Sequence, residues 1–283
     1  MPQHIPEPAD LELSDLIEVN ARLALFAAAP ADFACLAVQV PGTAATLMRV
    51  PAMPTPAMNR VVGLAGGSAL TDQTLAWIRQ TFADGGIGEF WLHAWDLPAD
   101  AALQAGYAAR GWQPDEQAAW VKLLCDLDGP LPAPRPHLGL KVRQAHADET
   151  LLSGDIVCRS FGMAPALAPW MGAVVGRPGW QVYFACDANG VPVASAALFI
   201  DGPHAWLGMG ATLPEARQQG CQQMLLAARL AAAKAAGCTV AGIETEAPPA
   251  GETRHSLNNI RRAGFREVGW RFNYRCQVSD FTV

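Results

Sequence analysis

The sequence predicts an α/β protein built as two lobes, on three observations. Apolar strand-like segments alternate with segments of helical spacing along the chain. A proline-rich run from Asp128 to Pro136 (DGPLPAPRP) interrupts that alternation near the middle. Repeated proline makes a stiff, extended connector that cannot continue a sheet interior. The order strand, glycine-containing loop, helix, strand, helix, glycine–aromatic turn, strand occurs on both sides of it. With 283 residues, 51% of them hydrophobic, the chain can fill two cores.

Composition narrows the function classes. Only 16% of residues are charged, against a usual value of about 25%, and alanine fills much of the difference, which favours tightly packed helices. A net charge of −6 gives no global electrostatic case for nucleic acid or an anionic membrane. No apolar run reaches the roughly 18 residues of a membrane span, and the opening MPQHIPEPAD lacks the basic-then-apolar pattern of a secretory signal. Seven cysteines, an odd number without a CxxC, read as reduced, mostly buried thiols of a cytoplasmic protein. The six histidines are dispersed and form no metal-ligand spacing, so no zinc site is expected.

In chain order, Leu11 to Ala29 has helical spacing, with Leu13, Leu16, Ile17, Leu23 and Phe26 apolar. Residues 32 to 50 supply strands, and Met53 to Pro56 is a break. An apolar strand over Arg60 to Ala65 meets Gly66-Gly67-Ser68, then a helix runs from Thr71 to Phe82 with its cap at Thr71 or Ser68. Ile87 to Trp95 is a strand, Asp100 to Arg110 a helix closed by Gly111-Trp112, and Gln117 to Cys125 a strand. Past the linker come a strand over Leu140 to Ala145 and helices over Asp148 to Phe161 and Pro165 to Val175. Trp180 to Cys186 and Val191 to Ile200 form a hairpin about Asp187 to Gly190, whose Asn-Gly is a strong turn dipeptide.

The stretch from Trp206 to Gly237 organises the rest. Its strand, Trp206 to Thr212, contains Gly208 and Gly210, which mark a bulge or a close backbone approach. Pro214 stops it. Arg217 to Gln222 (RQQGCQ) opens a long helix with few polar residues besides Gln223, Arg229 and Lys234, and Gly237 ends it. Such a helix is covered on more than one side. A loop of free backbone N–H groups at a helix N-terminus suits an anion; the same hexapeptide also reads as an ordinary β-to-α turn. A strand over Thr239 to Glu246, a Pro-Pro-Ala-Gly loop, a late helix and strands from Phe265 to Val278 follow.

The hexapeptide resembles the acetyl-CoA loop of the GNAT N-acetyltransferase superfamily, Q/R-x-x-G-x-G/A. Arg217 and Gly220 match, while Gln222 stands where Gly or Ala is usual. Ser256 to Phe265 is similar to the family's late helix, with Gly264-Phe265 as its closing turn. The resemblance runs from about Leu140 to Cys276. It implies two GNAT-like lobes, each a mixed, mostly antiparallel twisted sheet flanked by helices. Residues 1–127 would be a degenerate copy, 128–137 the linker and 138–283 the acetyltransferase domain. In the first lobe Gly66-Gly67 stands where the loop belongs but lacks its spacing, so no cofactor binding is assigned there; an unrelated α/β domain is the alternative.

The resemblance also implies the site. Backbone N–H groups of Gln218, Gln219, Gly220, Cys221, Gln222 and Gln223 hold a diphosphate, with Arg217 adding a charged contact or remaining a solvated charge. Met209, Gly210, Ala211 and Thr212 pair with the pantetheine arm, and a backbone N–H there faces the thioester oxygen. Asn258 and Asn259 contact the cofactor or are surface helix residues. Glu244 and Glu246 share a strand face by period-2 alternation and are candidate general bases, each with a solvent-facing alternative. The family's general-acid Tyr falls on Ile260; Tyr274, Ser256 and Asn258 are the substitutes. Trp170, Trp180, Trp206 and Trp270 line an acceptor pocket or are plain core. Cys221, at the helix N-terminus, is expected to be exposed with a lowered thiol pKa, or else to pack as a small apolar residue.

The expected activity is acyl-CoA-dependent N-acyl transfer, of acetyl from acetyl-CoA directly to a small-molecule or peptide amine. The alternative is a non-catalytic acyl-CoA-binding or regulatory protein of the same fold; a two-lobed interaction module without cofactor is a third reading. No nucleic-acid or membrane partner is expected, and a homodimer stays open.

Overall fold

A computed structural model describes the chain except for residues 1–7, 65–70, 96–99, 116–118, 134–136, 138, 250–251, 253 and 282–283. Its contacts group into two units: Met1–Ala27, Ala31–Lys122 and Val268–Val283 form the first, Ala28–Pro30 and Leu123–Glu267 the second. These units do not follow a cut at the linker, because the C-terminal strand sits with the first unit. Strand pairing at that range leaves no local signal in a sequence.

The first unit contains α1 (Pro8–Ala27), β1 (Leu36–Gln39), β2 (Thr46–Arg49), β3 (Arg60–Val62), α2 (Asp72–Ala83), β4 (Glu89–Trp95), α3 (Ala101–Ala108) and most of β11 (Arg266–Gln277). β5 (Trp120–Asp126) is divided between the units after Lys122. The strand order is β1-β2-β3-β4-β11. All pairs are antiparallel except β3–β4, which the crossover through α2 makes parallel. Thr71 caps α2 by accepting the Thr74 N–H, and the Gly66-Gly67 loop lies outside the described residues. Alternation divides β4 between two environments. Phe90, Leu92 and Ala94 join Leu75, Ile78, Phe82 and Tyr107 in an apolar core.

The charged positions of the sheet meet α1. Glu18, fully buried, accepts from Arg271 (2.6 Å), Lys122 (2.8 Å) and Arg60 (3.1 Å), with Arg22 at 3.6 Å. Asp15 accepts from Arg271 and from Trp95 Nε1, each at 3.2 Å. Burial by itself raises the Glu18 carboxyl, but the four cations outweigh it and hold the group well below the usual carboxylate range. At Asp15 burial wins over Arg271 and Lys122, and the carboxyl lies above its usual value.

The second unit contains β6 (Lys141–Gln144), α4 (Thr150–Phe161), α5 (Ala168–Met171), β7 (Trp180–Cys186), β8 (Pro192–Asp201), β9 (His204–Thr212), α6 (Cys221–Ala235), β10 (Val240–Glu246) and α7 (His255–Arg262). The order is β10-β9-β8-β7-β6, antiparallel apart from the parallel β9–β10 pair. The helix expected over Pro165 to Val175 is reduced to a 3-10 turn, Pro165–Leu167, and the four residues of α5. There the backbone closes on α4: a β-carbon at Gly172 would overlap the Thr150 carbonyl oxygen. The proline-rich segment is held against α6. Lys234 Nζ donates to the carbonyls of Leu127 (2.6 Å), Gly129 (2.6 Å) and Asp128 (3.4 Å), and Pro132 packs on Gly264. No described helix is long and apolar enough to cross a membrane.

Candidate active site

The second unit opens between its two parallel strands. Pairing of β9 with β10 ends at Trp206↔Gly242, yet β9 continues to Thr212 and β10 to Glu246. A bulge turns β9 at that point: Ala197 of β8 faces Gly208, but Ser195 faces Ala211, so β9 carries an extra residue. Met209 takes φ +53°, the left-handed region that non-glycine residues seldom enter. Arg229 of α6 donates from Nη1 to the carbonyls of Ala197 (2.9 Å) and Gly208 (3.2 Å), on the two strands the bulge puts out of step.

β9 leads into the loop and the N-terminus of α6. Gln218 (φ +64°) and Gly220 (φ +92°) are both left-handed, and Gly220 is the N-cap. The Gly220 α-carbon is covered by the His137 imidazole, which a β-carbon there would overlap. His137 Nε2 lies 3.0 Å from Gln223 Oε1. Amide side chains tie the first turns of α6 and α7: Gln222 Nε2 donates to Ser256 Oγ (2.9 Å), Asn259 Nδ2 to Gln222 Oε1 (2.9 Å) and Gln223 Nε2 to Asn259 Oδ1 (3.1 Å). Further along, a cavity of about 230 Å³ lies between the helices and the proline-rich segment, lined by Pro132, Ala227, Leu230, Asn259 and Arg262 among others.

The overall fold recurs in solved structures. A GCN5-related N-acetyltransferase from Kribbella flavida matches at TM-score 0.63 and 17% identity over 94% of this chain and 96% of that one. Another from Sphaerobacter thermophilus gives 0.64 and 15% over 97% and 95%. A tandem GNAT protein from the clavulanic acid biosynthesis pathway gives 0.56 and 17% over 97% and 98%. The chain has the GNAT fold. No family model and no curated protein matches the sequence.

Within the GNAT fold the expected residues separate. Met209, Gly210, Ala211 and Thr212 form the bulged end of β9. Glu244 and Glu246 share a face, as alternation requires, with Thr245 turned to Ser256. Glu244 accepts from Trp206 Nε1 at 3.0 Å, while Glu246 is paired with Arg254 at 2.8 Å. Trp206 and Trp180 meet edge-on, ring centroids 6.2 Å apart, and the Trp206 indole covers Gly208. Trp170 is plain core, and Trp270 belongs to the first unit. Tyr274 also belongs to the first unit, buried with its ring 4.6 Å from Tyr107. Arg217 donates to the Ser160 carbonyl near the end of α4, and Gln219 to the Glu215 carbonyl. Of the two asparagines, Asn259 joins the bridge to α6, whereas Asn258 accepts from Arg261.

Cys221 corrects the expectation of an exposed, acidic thiol. It is 2% exposed and packs with Ala185, Ala194, Ala196 and Leu225, and burial raises the thiol. The helix dipole acts on that sulfur, but the α6 face that carries it is the core face. Cys35, only partly buried, is raised to about 11 for the same reason. His137 and the clamp made by Arg229 escaped the sequence reading. His137 is a lone residue after a proline run and carries no periodic signal. Arg229 was legible: it replaces an apolar residue midway between Leu225 and Ala233 on the buried stripe of α6.

Proposed function

We propose that the chain is an acyl-CoA-dependent N-acyltransferase that moves an acetyl group from acetyl-CoA to a small-molecule or peptide amine in the β9/β10 cleft. One observation carries this reading: a bulged strand parts from its parallel neighbour and leads directly into a left-handed N-cap and a helix. The open edge of β9 can take an amide-bearing arm as an added strand. The first-turn N–H groups of α6, with Gly220 at the cap, suit a diphosphate, and this fit requires the His137 ring to leave Gly220. Glu244 accepts the amine proton, directly or through water, as the new C–N bond forms and the C–S bond breaks. The departing sulfur takes its proton from solvent. Glu246, already bound by Arg254, is the lesser candidate. The first unit is read as a copy without a cofactor role, and the free thiols support a reducing, cytoplasmic setting.

A second reading, acyl-CoA binding without turnover, is favoured by the amide bridge from Gln222 and by buried Ile260 at the position of the family's acid. Calorimetric titration of the full chain with acetyl-CoA, followed by mass-spectrometric detection of acetyl transfer to a panel of amines, separates the two. Binding with transfer supports the enzyme. Binding without transfer to any amine supports the second reading, and absence of binding overturns both.

A further inference from the structure

Arg229 is buried at 2% exposure among Leu225, Leu226, Leu230 and Ala233. A guanidinium taken out of water is costly unless its donors are used and its charge is answered. Three hydrogen bonds go to backbone: Nε to the Leu225 carbonyl at 3.1 Å, and Nη1 to those of Ala197 and Gly208. The charge is not answered, since burial lowers the group to about 9 and no carboxylate among the described residues opposes the fall. A neutral donor would satisfy two carbonyls equally well, so the charge needs a separate reason.

Peptide geometry supplies it. The described chain has no cis peptide, and a trans peptide sends its C=O and its N–H to opposite edges. The Gly208 carbonyl faces Arg229, so the N–H of the same peptide, that of Met209, faces away from the guanidinium. The ladder with β10 has already ended at Trp206. A cation bonded to the carbonyl polarises the peptide and strengthens its N–H as a donor. Resting on the acyl-CoA reading, we propose that Arg229 is a positioning residue of the acyl site: through the Gly208–Met209 peptide it aims the Met209 N–H at the thioester carbonyl and strengthens that bond as the oxygen gains negative charge. Preorganised donors of this kind matter most where charge develops.

The test uses the full chain with acetyl-CoA labelled by carbon-13 at the thioester carbonyl, read by isotope-edited infrared spectroscopy beside calorimetry. In the wild type the bound carbonyl band should lie at lower wavenumber than the free band. Arg229→Met should return it most of the way to the free position; Arg229→Lys, which keeps the charge, should return it less; Arg229→Gln, a neutral donor, should resemble Arg229→Met. With an amine identified from the panel, Arg229→Met should lower kcat with KM nearly unchanged, by less than the roughly 10²–10³-fold of deleting an oxyanion donor. A bound band at the free position in the wild type, or one unmoved by Arg229→Met, overturns the inference while the acyl-CoA reading stands. If acetyl-CoA does not bind the wild type, both fall. Should Arg229→Met fail to fold by circular dichroism, the wild-type band and Arg229→Gln decide the matter.

Discussion

In the first unit four cations converge on Glu18, with Asp15 beside it; in the second, Arg229 is buried on backbone carbonyls alone. Both arrangements sit against a sheet with one parallel pair reached through a helix. Charge that is answered by charge fastens α1 to the sheet and leaves little field. Charge that is not answered leaves a positive group beside the β9 bulge. The same chain therefore carries an answered ion cluster in one unit and a buried cation without a carboxylate partner among the described residues in the other, and the counter-ion marks the difference.

The largest effect should come from removing the answer. Glu18→Ala strands Arg60, Lys122 and Arg271 without their shared carboxylate and should cost about 3–5 kcal/mol, read by urea unfolding. The pH dependence has two signs. Glu18 is held low in the folded state, so its contribution is complete above the unfolded value of about 4.3 and is lost as pH falls through the lowered folded value. Asp15 is held high, so its contribution is present below about 3.9 and lost as pH rises through the raised folded value. Glu18→Gln should flatten the acid-side loss and Asp15→Asn the loss at higher pH. If neither changes the profile, the cluster is not the first unit's fastening.

Next in size, Glu244→Gln should lower kcat by roughly 10²–10⁴-fold on the amine found in the panel, with Glu246→Gln nearly silent. His93→Gln, buried on β4 in the first unit, should alter stability and leave turnover alone. Equal losses from Glu244→Gln and His93→Gln would erase the distinction between the units. A smaller change is expected at Gln222, whose side chain bridges to Ser256 and Asn259. If acetyl-CoA must break that bridge, Gln222→Ala should bind it roughly thirtyfold more tightly by calorimetry, at about 1 kcal/mol for each of the two hydrogen bonds released. Weaker binding would show that Gln222 holds the ligand instead.

Much of this was legible in the chain. Period-2 alternation put Glu244 and Glu246 on one face, Asn-Gly located the β7–β8 hairpin, and Thr71 was one of the two caps offered for α2, because each signal is local. Gly208 and Gly210 bracketed the bulge, although the left-handed residue between them is Met209. What escaped depends on distance. The partner of β11 is β4, some 180 residues away in sequence. The Gln222 departure from the family pattern was visible, but not the two side chains on α7 that receive it. Of the two readings of Cys221 the packed one holds: a helix N-terminus favours a thiolate only when the sulfur faces water, and helical phase on a stretch this rich in alanine does not decide between them. The proline-rich segment looked like a free connector because proline composition says nothing of Lys234, which holds it.

The central claim is that the cleft of the second unit, and not the first unit, takes acyl-CoA. Amide hydrogen exchange of the full chain with and without saturating acetyl-CoA tests it most directly, since it reports binding and location together. Exchange should slow from Met209 to Gln223 and over Ile243 to Glu246, with Arg60 to Val62 and α2 unchanged. Unchanged exchange throughout, or protection confined to the first unit, would contradict the account.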